Sequence, residues 1–175
     1  MKLNTRFFTA LLLCFTLLFS MTAMVACGGS GESEETRDPN KAPATLDSIW
    51  TAVSAVVPGA DKLTDAPASR LSGFFDGAAP EDFASYKLAV QSMSTSIDEI
   101  GIFEAKSAED VKKIESMVDA FFELYLGLWN DDYLAEEKPK LVNAERVTSG
   151  NFVMYVILDD DTRAAAITAF ENETK

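Results

Sequence analysis

An apolar N-terminal segment that ends at Cys27 constrains this chain most, because it separates a removable part from a part that must fold. Lys2 and Arg6 give the segment a positive start, and residues 7–19 are almost entirely apolar. The run M-V-A-C at 24–27 places a small alanine directly before the cysteine. This order is that of a secretory signal, and the final cysteine is typical of a bacterial lipobox. We therefore predict a lipoprotein signal peptide over residues 1–26.

The lipobox predicts that Cys27 is the site of lipid attachment. Its thiol would carry a diacylglyceryl group and would become the new N-terminus after cleavage. Two acyl chains give stable anchoring, whereas a single chain is marginal. The alternative is an uncleaved membrane span over residues 7–26, which has the roughly 20 residues needed to cross a bilayer. The position of Cys27 and the Gly/Ser-rich run 28–31 favour a lipid anchor on the extracytoplasmic face of the cell membrane.

The residues after the cysteine lack the apolar content of a folded core. Residues 28–44 are mostly Gly, Ser, Glu, Pro and Asn, a composition typical of flexible linkers. We predict a lipidated cysteine and flexible tether over 27–44, with an r.m.s. reach of roughly 20–25 Å. The remaining residues, 45–175, are predicted to form one small domain.

The composition limits the chemistry that this domain can perform. The whole chain has a net charge of −13, no histidine and two cysteines, Cys14 and Cys27. The acidity disfavours nucleic acid, whose phosphates attract Lys and Arg. Without histidine, Ser-His-Asp and Cys-His hydrolase sites are excluded, and the usual Cys/His metal sites are disfavoured. We predict no catalytic residue, no metal site and no cofactor, although carboxylate-only chemistry and a Ca²⁺ or Mg²⁺ site stay open.

Apolar periodicity and capping residues predict three main helices. Residues 45–57 carry apolar side chains at helical spacing after Thr45, a suitable cap. Ser107 opens a long amphipathic helix and forms a possible capping box with Asp110. Asp159 is predicted to cap a final helix that ends near Phe170. Residues 60–80 allow only a possible short helix around 68–75.

Four segments have strand character and form two predicted hairpins, 84–93 with 97–105 and 141–148 with 152–158. Short connections favour antiparallel pairing. We predict an α+β fold, with an antiparallel sheet of about four strands packed by helices in the order helix-ββ-helix-ββ-helix. The order of the strands within the sheet cannot be read from these patterns.

Three stretches resemble a known family. They are the run M-S-T-S-I-D-E-I-G-I-F at 93–103, the helix that begins at Ser107, and the segments A-E-R-V and G-N-F-V at 144–147 and 150–153. Together they resemble domain-of-unknown-function family 4358, a family of small bacterial lipoproteins, over roughly residues 46–172. The resemblance implies a lipoprotein with a single domain. It implies no activity and no site residue.

Two classes of function follow as predictions. We predict a membrane-anchored binding or scaffolding module, with membrane lipid bound through acylated Cys27 and a protein or cell-wall partner, rather than an enzyme. The alternative is a carboxylate-only hydrolase of cell-envelope material, which needs two acids about 5–10 Å apart across a cleft. Its candidate acids are Glu99, Glu104, Asp131 and Asp132. A small-solute receptor is disfavoured because such proteins usually need a longer chain.

Overall fold

The centre of the fold is a five-stranded antiparallel sheet. A computed structural model of the protein describes residues 42–91 and 95–175. The strands lie in the order β1-β2-β3-β5-β4. Their bounds are β1 Leu63–Asp65, β2 Ser85–Gln91, β3 Glu99–Glu104, β4 Glu145–Ser149 and β5 Phe152–Ile157. The α+β class is confirmed, but the prediction of about four strands is wrong because β1 adds a fifth at the edge beside β2.

Helices cover both faces of this sheet. They are α1 Leu46–Val56, α2 Ser69–Phe74, α3 Ala108–Gly127, α4 Lys138–Val142 and α5 Asp160–Thr174. All six residues of β5 are buried, and they alternate between two hydrophobic clusters. Phe152, Met154 and Val156 pack in the cluster that contains residues of α1 and α5. Val153, Tyr155 and Ile157 pack in the cluster that contains residues of α2 and α3, so each face of the strand has its own core.

The predicted residues Thr45, Ser107 and Asp159 cap their helices. The capping box predicted between Ser107 and Asp110 is not formed, because the Asp110 carboxylate accepts from Ser107 Oγ at 2.7 Å and not from the Ser107 amide. The Thr45 side chain accepts a hydrogen bond from the Ser48 amide at 3.1 Å, and Ser48 Oγ accepts one from the Thr45 amide at 3.0 Å. Ser107 Oγ accepts from the Asp110 amide at 3.3 Å, and the Asp159 carboxylate accepts from the Thr162 amide at 3.1 Å. These bonds satisfy amides that have no partner inside their helices.

The connecting segments differ from the sequence-based order of elements. Residues 60–80 contain the short helix α2, as predicted, and also β1, which is too short for an alternating pattern to be visible. Leu141 and Val142, predicted to begin a strand, belong to α4, and the strand begins at Glu145. A short apolar run does not separate helix from strand by periodicity alone. The final helix continues beyond Phe170 to Thr174.

The predicted signal over 1–26, Cys27 and the tether as far as residue 41 lie outside the described residues, as does the end of the predicted strand at Met93. Within residues 42–91 and 95–175, no helix has both the length and the apolar character that a membrane span requires.

Candidate functional site

Glu99 is the one charged side chain that is buried among the described residues, with an exposed fraction of 2%. It is the first residue of β3 and pairs with Val90 of β2 and Ile157 of β5. Removing a carboxylate from water costs several kcal/mol unless a cation and hydrogen bonds compensate for the loss. The surroundings of Glu99 must therefore supply both.

Arg70 and Tyr155 supply these partners from two distant parts of the chain. The Tyr155 hydroxyl donates a hydrogen bond to Glu99 Oε1 at 2.5 Å. Arg70 Nε donates to the same oxygen at 3.1 Å, and Arg70 Nη2 bonds Oε2. The paired guanidinium and carboxylate form a charge-assisted bidentate contact, which is the strongest common geometry for such a pair. The contact ties α2 to the end of the sheet.

The protonation states in this cluster follow from burial and from the charge of Glu99. Burial, followed by the neighbouring carboxylate, raises the pKa of Tyr155 well above its usual value. Burial also raises the pKa of Tyr125. Burial alone would lower the pKa of Arg70, but the Glu99 carboxylate outweighs this and the pKa is raised. Tyr155 therefore stays a hydrogen-bond donor at neutral pH, and Arg70 stays a cation.

The position of the Tyr155 ring requires a glycine in the neighbouring strand. Gly101 pairs with Tyr155 across β3 and β5. A Cβ atom at residue 101 would lie 2.0 Å from Tyr155 Cε1, far inside van der Waals contact. Because residue 101 is glycine, the Tyr155 ring can lie across β3, where its hydroxyl donates its hydrogen bond to Glu99.

The two candidate hydrolase acids on β3, Glu99 and Glu104, do not form a pair of carboxylates about 5–10 Å apart. Glu99 and Glu104 begin and end this strand, so their α-carbons are about 16 Å apart at 3.3 Å per residue, and they point to opposite faces. Glu104 accepts a hydrogen bond from Ser85 Oγ at 2.6 Å. Asp131 forms an exposed ion pair with Lys138 at 2.5 Å, and Asp132 is also exposed.

A second polar network joins the β2–β3 connection to α4. The Glu137 carboxylate accepts from Ser96 Oγ at 2.9 Å and from the Ile97 amide at 3.1 Å. Lys140 Nζ lies 2.9 Å from Glu137 and 2.8 Å from Asp98. Burial opposes both charges, yet the bonds to Lys140 lower the pKa of Glu137 and the bonds to Asp98 raise the pKa of Lys140. These residues hold the hairpin end against α4.

The end of α3 presents the densest group of exposed apolar side chains. Six large hydrophobic side chains are exposed among the described residues, and four of them lie between 124 and 133. These four form what we call the α3-end surface: Leu124, Leu126, Leu128 and Tyr133. Leu124 and Leu128 are one helical turn apart and share a flank. Four exposed acids lie within the same stretch of sequence or a few residues beyond it: Glu123, Asp131, Asp132 and Glu136.

The sequence did not identify most of these features. The sequence analysis included Glu99 among the candidate acids but did not predict a role for Arg70 or Tyr155. Arg70 lies in the segment 60–80, which has no clear pattern, and Tyr155 lies in an otherwise apolar strand. The one usable signal was a glycine inside a predicted strand, which often marks a close approach of another group. Among the described residues, no group of three or more Cys, Asp or Glu side chains is placed to hold a metal ion.

Comparison with known proteins gives one match. The model of the family "Domain of unknown function (DUF4358)" matches residues 77–158, which include β2 to β5 and the helices between them. The match supports the family resemblance over a shorter span than residues 46–172. No curated protein and no solved structure matches the chain.

Proposed function

We propose that this chain is a lipoprotein anchored through Cys27 at the extracytoplasmic face of the cell membrane, where its domain binds a protein partner. The signal pattern, the cysteine and the polar tether support the anchor. The tether keeps the domain within a thin layer above the membrane, which raises its effective concentration for a partner in the same layer.

The α3-end surface is the observation that carries the binding role. Leu124 and Leu128, exposed on one flank of the helix end, indicate an interaction site because their burial stabilises a complex by about 25 cal/mol for each Å² removed from water. Exposed acids in the same stretch, Glu123, Asp132 and Glu136, favour a partner segment whose apolar side chains are flanked by Lys or Arg. The same acids oppose docking on anionic lipid. We therefore propose a basic, amphipathic protein segment as the occupant.

Replacing Leu124 and Leu128 by serine should reduce partner binding by about tenfold, because roughly 1.4 kcal/mol of apolar burial is lost. The measurement is photo-crosslinking in the native cell from a photoreactive residue at Tyr133, with the yield of the crosslinked product compared between the parent chain and the double variant. Mass spectrometry of the product would identify the contacting segment and show whether it is basic and amphipathic.

The matched control is Val56→Ser, which removes another exposed apolar side chain on α1, a helix that packs on the opposite face of the sheet from α3, and should leave the yield unchanged. Equal yields from the parent and the Leu124/Leu128 variant would contradict this surface as the binding site. If the chain binds phosphatidylglycerol vesicles and this binding requires Leu124 and Leu128, the proposed partner is lipid and not protein. Turnover of cell-wall substrate that is lost when one carboxylate is neutralised would establish the hydrolase alternative.

Substituting Cys27 by serine should abolish lipid attachment. The parent chain is expected in the membrane fraction and labelled by fatty acid, whereas Cys27→Ser should carry no label because serine lacks the thiol that is alkylated. Metabolic labelling followed by membrane fractionation checks this. Cys14→Ser is the matched control and should be labelled like the parent. A labelled Cys27→Ser chain would contradict the predicted anchor.

A further inference from the structure

A cavity separate from the α3-end surface lies between the segment that follows α2 and the first half of α3. Its volume is about 340 Å³, near the lower limit for small-ligand pockets. Its floor is apolar and is formed by Phe75, Phe83, Ile114 and Met117. Phe75 and Phe83 both pack against Phe103, so the aromatic floor is held in place by the core.

The rim of this cavity carries three carboxylates and one ammonium group: Asp76, Asp82, Asp110 and Lys113. Lys113 Nζ lies 2.8 Å from Asp110, so these two charges neutralise each other. The same contact lowers the pKa of Asp110 and raises the pKa of Lys113. Asp82 accepts from the Ala79 amide at 2.8 Å, which fixes its side chain but does not neutralise it. Lys106, whose Nζ bonds the carbonyl oxygen of Glu81, is a second cation near the rim and also lowers the pKa of Asp110. Three carboxylates against two cations leave the rim with a net negative charge.

Asp76 distinguishes this rim from the other acidic surfaces. Its side chain is exposed and makes no hydrogen bond or ion pair with any residue in the described part of the chain. Two carboxylates that form no ion pair, Asp76 and Asp82, thus border an apolar floor. An apolar stem that ends in a positive charge complements both features, because the stem covers the aromatic floor and the charged end stays at the rim.

We infer that this cavity binds a guanidinium or ammonium group on an apolar stem, as in an arginine or lysine side chain. The volume suits one such side chain. A divalent metal is disfavoured because no described group of acids is arranged to hold one. The site is distinct from the proposed docking surface, since Lys113 and Leu124 are about 16 Å apart along α3 at 1.5 Å per residue.

The inference can be tested by following the Met117 methyl group, which lines the floor, by NMR. The full chain, labelled with ¹³C-methyl methionine and held in detergent micelles, is titrated with N-acetyl-arginine amide. N-acetyl-citrulline amide has nearly the same shape without the charge and serves as the matched probe. We expect a saturable shift of the Met117 signal with the arginine probe and at least about a fivefold weaker response with citrulline.

The variant Asp76→Asn/Asp82→Asn keeps the shape of both side chains and should weaken arginine binding by about five- to tenfold. Asp61→Asn, which neutralises an exposed acid elsewhere, should have no effect. An unchanged Met154 signal, from the core of the opposite face, will show that the variants remain folded. Equal binding of arginine and citrulline probes, or full binding by the double variant, would overturn the inference.

A further pair of probes separates the two sources of such a group. A capped pentapeptide with one central arginine represents a protein partner, and 1-butylguanidine represents a free small cation. Tighter binding of the peptide identifies the side chain of a partner as the ligand, whereas equal or tighter binding of butylguanidine identifies a small organic cation. Either result supports the site, and the absence of a saturable Met117 shift with both probes would overturn it.

Discussion

Replacing Arg70 by methionine is expected to lower the free energy of unfolding by about 3–5 kcal/mol, because the variant leaves the buried Glu99 carboxylate without its cation. Methionine retains much of the apolar stem, which in Arg70 places the guanidinium carbon 4.7 Å from the centre of the Phe74 ring. The lost free energy of unfolding should therefore come mainly from the missing positive charge and only to a small extent from lost packing. Urea denaturation of the chain from Ala44 onward is the measurement, since urea does not screen ion pairs as a salt would.

Arg146→Met is the matched control for this prediction. Arg146 also contacts two carboxylates, with Nε 2.8 Å from Asp119 and Nη1 2.9 Å from Glu115, but these contacts are at the surface. Surface ion pairs contribute about 0–1 kcal/mol. Adding Glu99→Gln to the Arg70 variant should recover part of the lost stability, because an amide still accepts from the Tyr155 hydroxyl without a buried charge. Equal losses for Arg70→Met and Arg146→Met would contradict the burial argument.

Replacing Gly101 by alanine is expected to destabilise the fold by about 3 kcal/mol, at the upper end of the usual cost of an added methyl in a packed core. The new Cβ atom would lie 2.0 Å from the Tyr155 ring. β3 is bonded to β2 and β5 on its two sides, so its backbone has little room to move. Denaturation of the variant, with the circular dichroism of the sheet as the signal, measures the cost.

Gly73→Ala provides the contrast. A Cβ atom at residue 73 meets nothing within 4 Å, and alanine is favoured over glycine in a helix by about 0.5–1 kcal/mol. This variant should therefore be neutral or slightly stabilised. Gly101→Ala should also cost less in a Tyr155→Leu background, because the clash is with the ring. A full cost in that background would show that the loss does not come from contact with Tyr155.

The local patterns of the sequence predicted the elements that depend on nearby residues. Thr45, Ser107 and Asp159 cap their helices because capping is a contact over two or three residues. The apolar run at 152–158 predicted a strand, which β5 confirms. Strand and helix patterns also predicted the α+β class, which the sheet and its helices confirm. The lipid attachment at Cys27 is a sequence prediction that the described residues do not reach.

The tertiary structure decided what depends on distant residues. β1 exists because its three residues pair with β2, and so short a strand has no pattern of its own. Leu141 is helical and buried in the core, and the pair Leu141-Val142 is too short for its apolar character to separate helix from strand. The cluster around Glu99 joins Arg70 and Tyr155 across 29 and 56 residues. Charge, hydropathy and spacing describe each of these residues alone, whereas the compensation of a buried charge depends on which groups the folded chain brings within hydrogen-bonding distance.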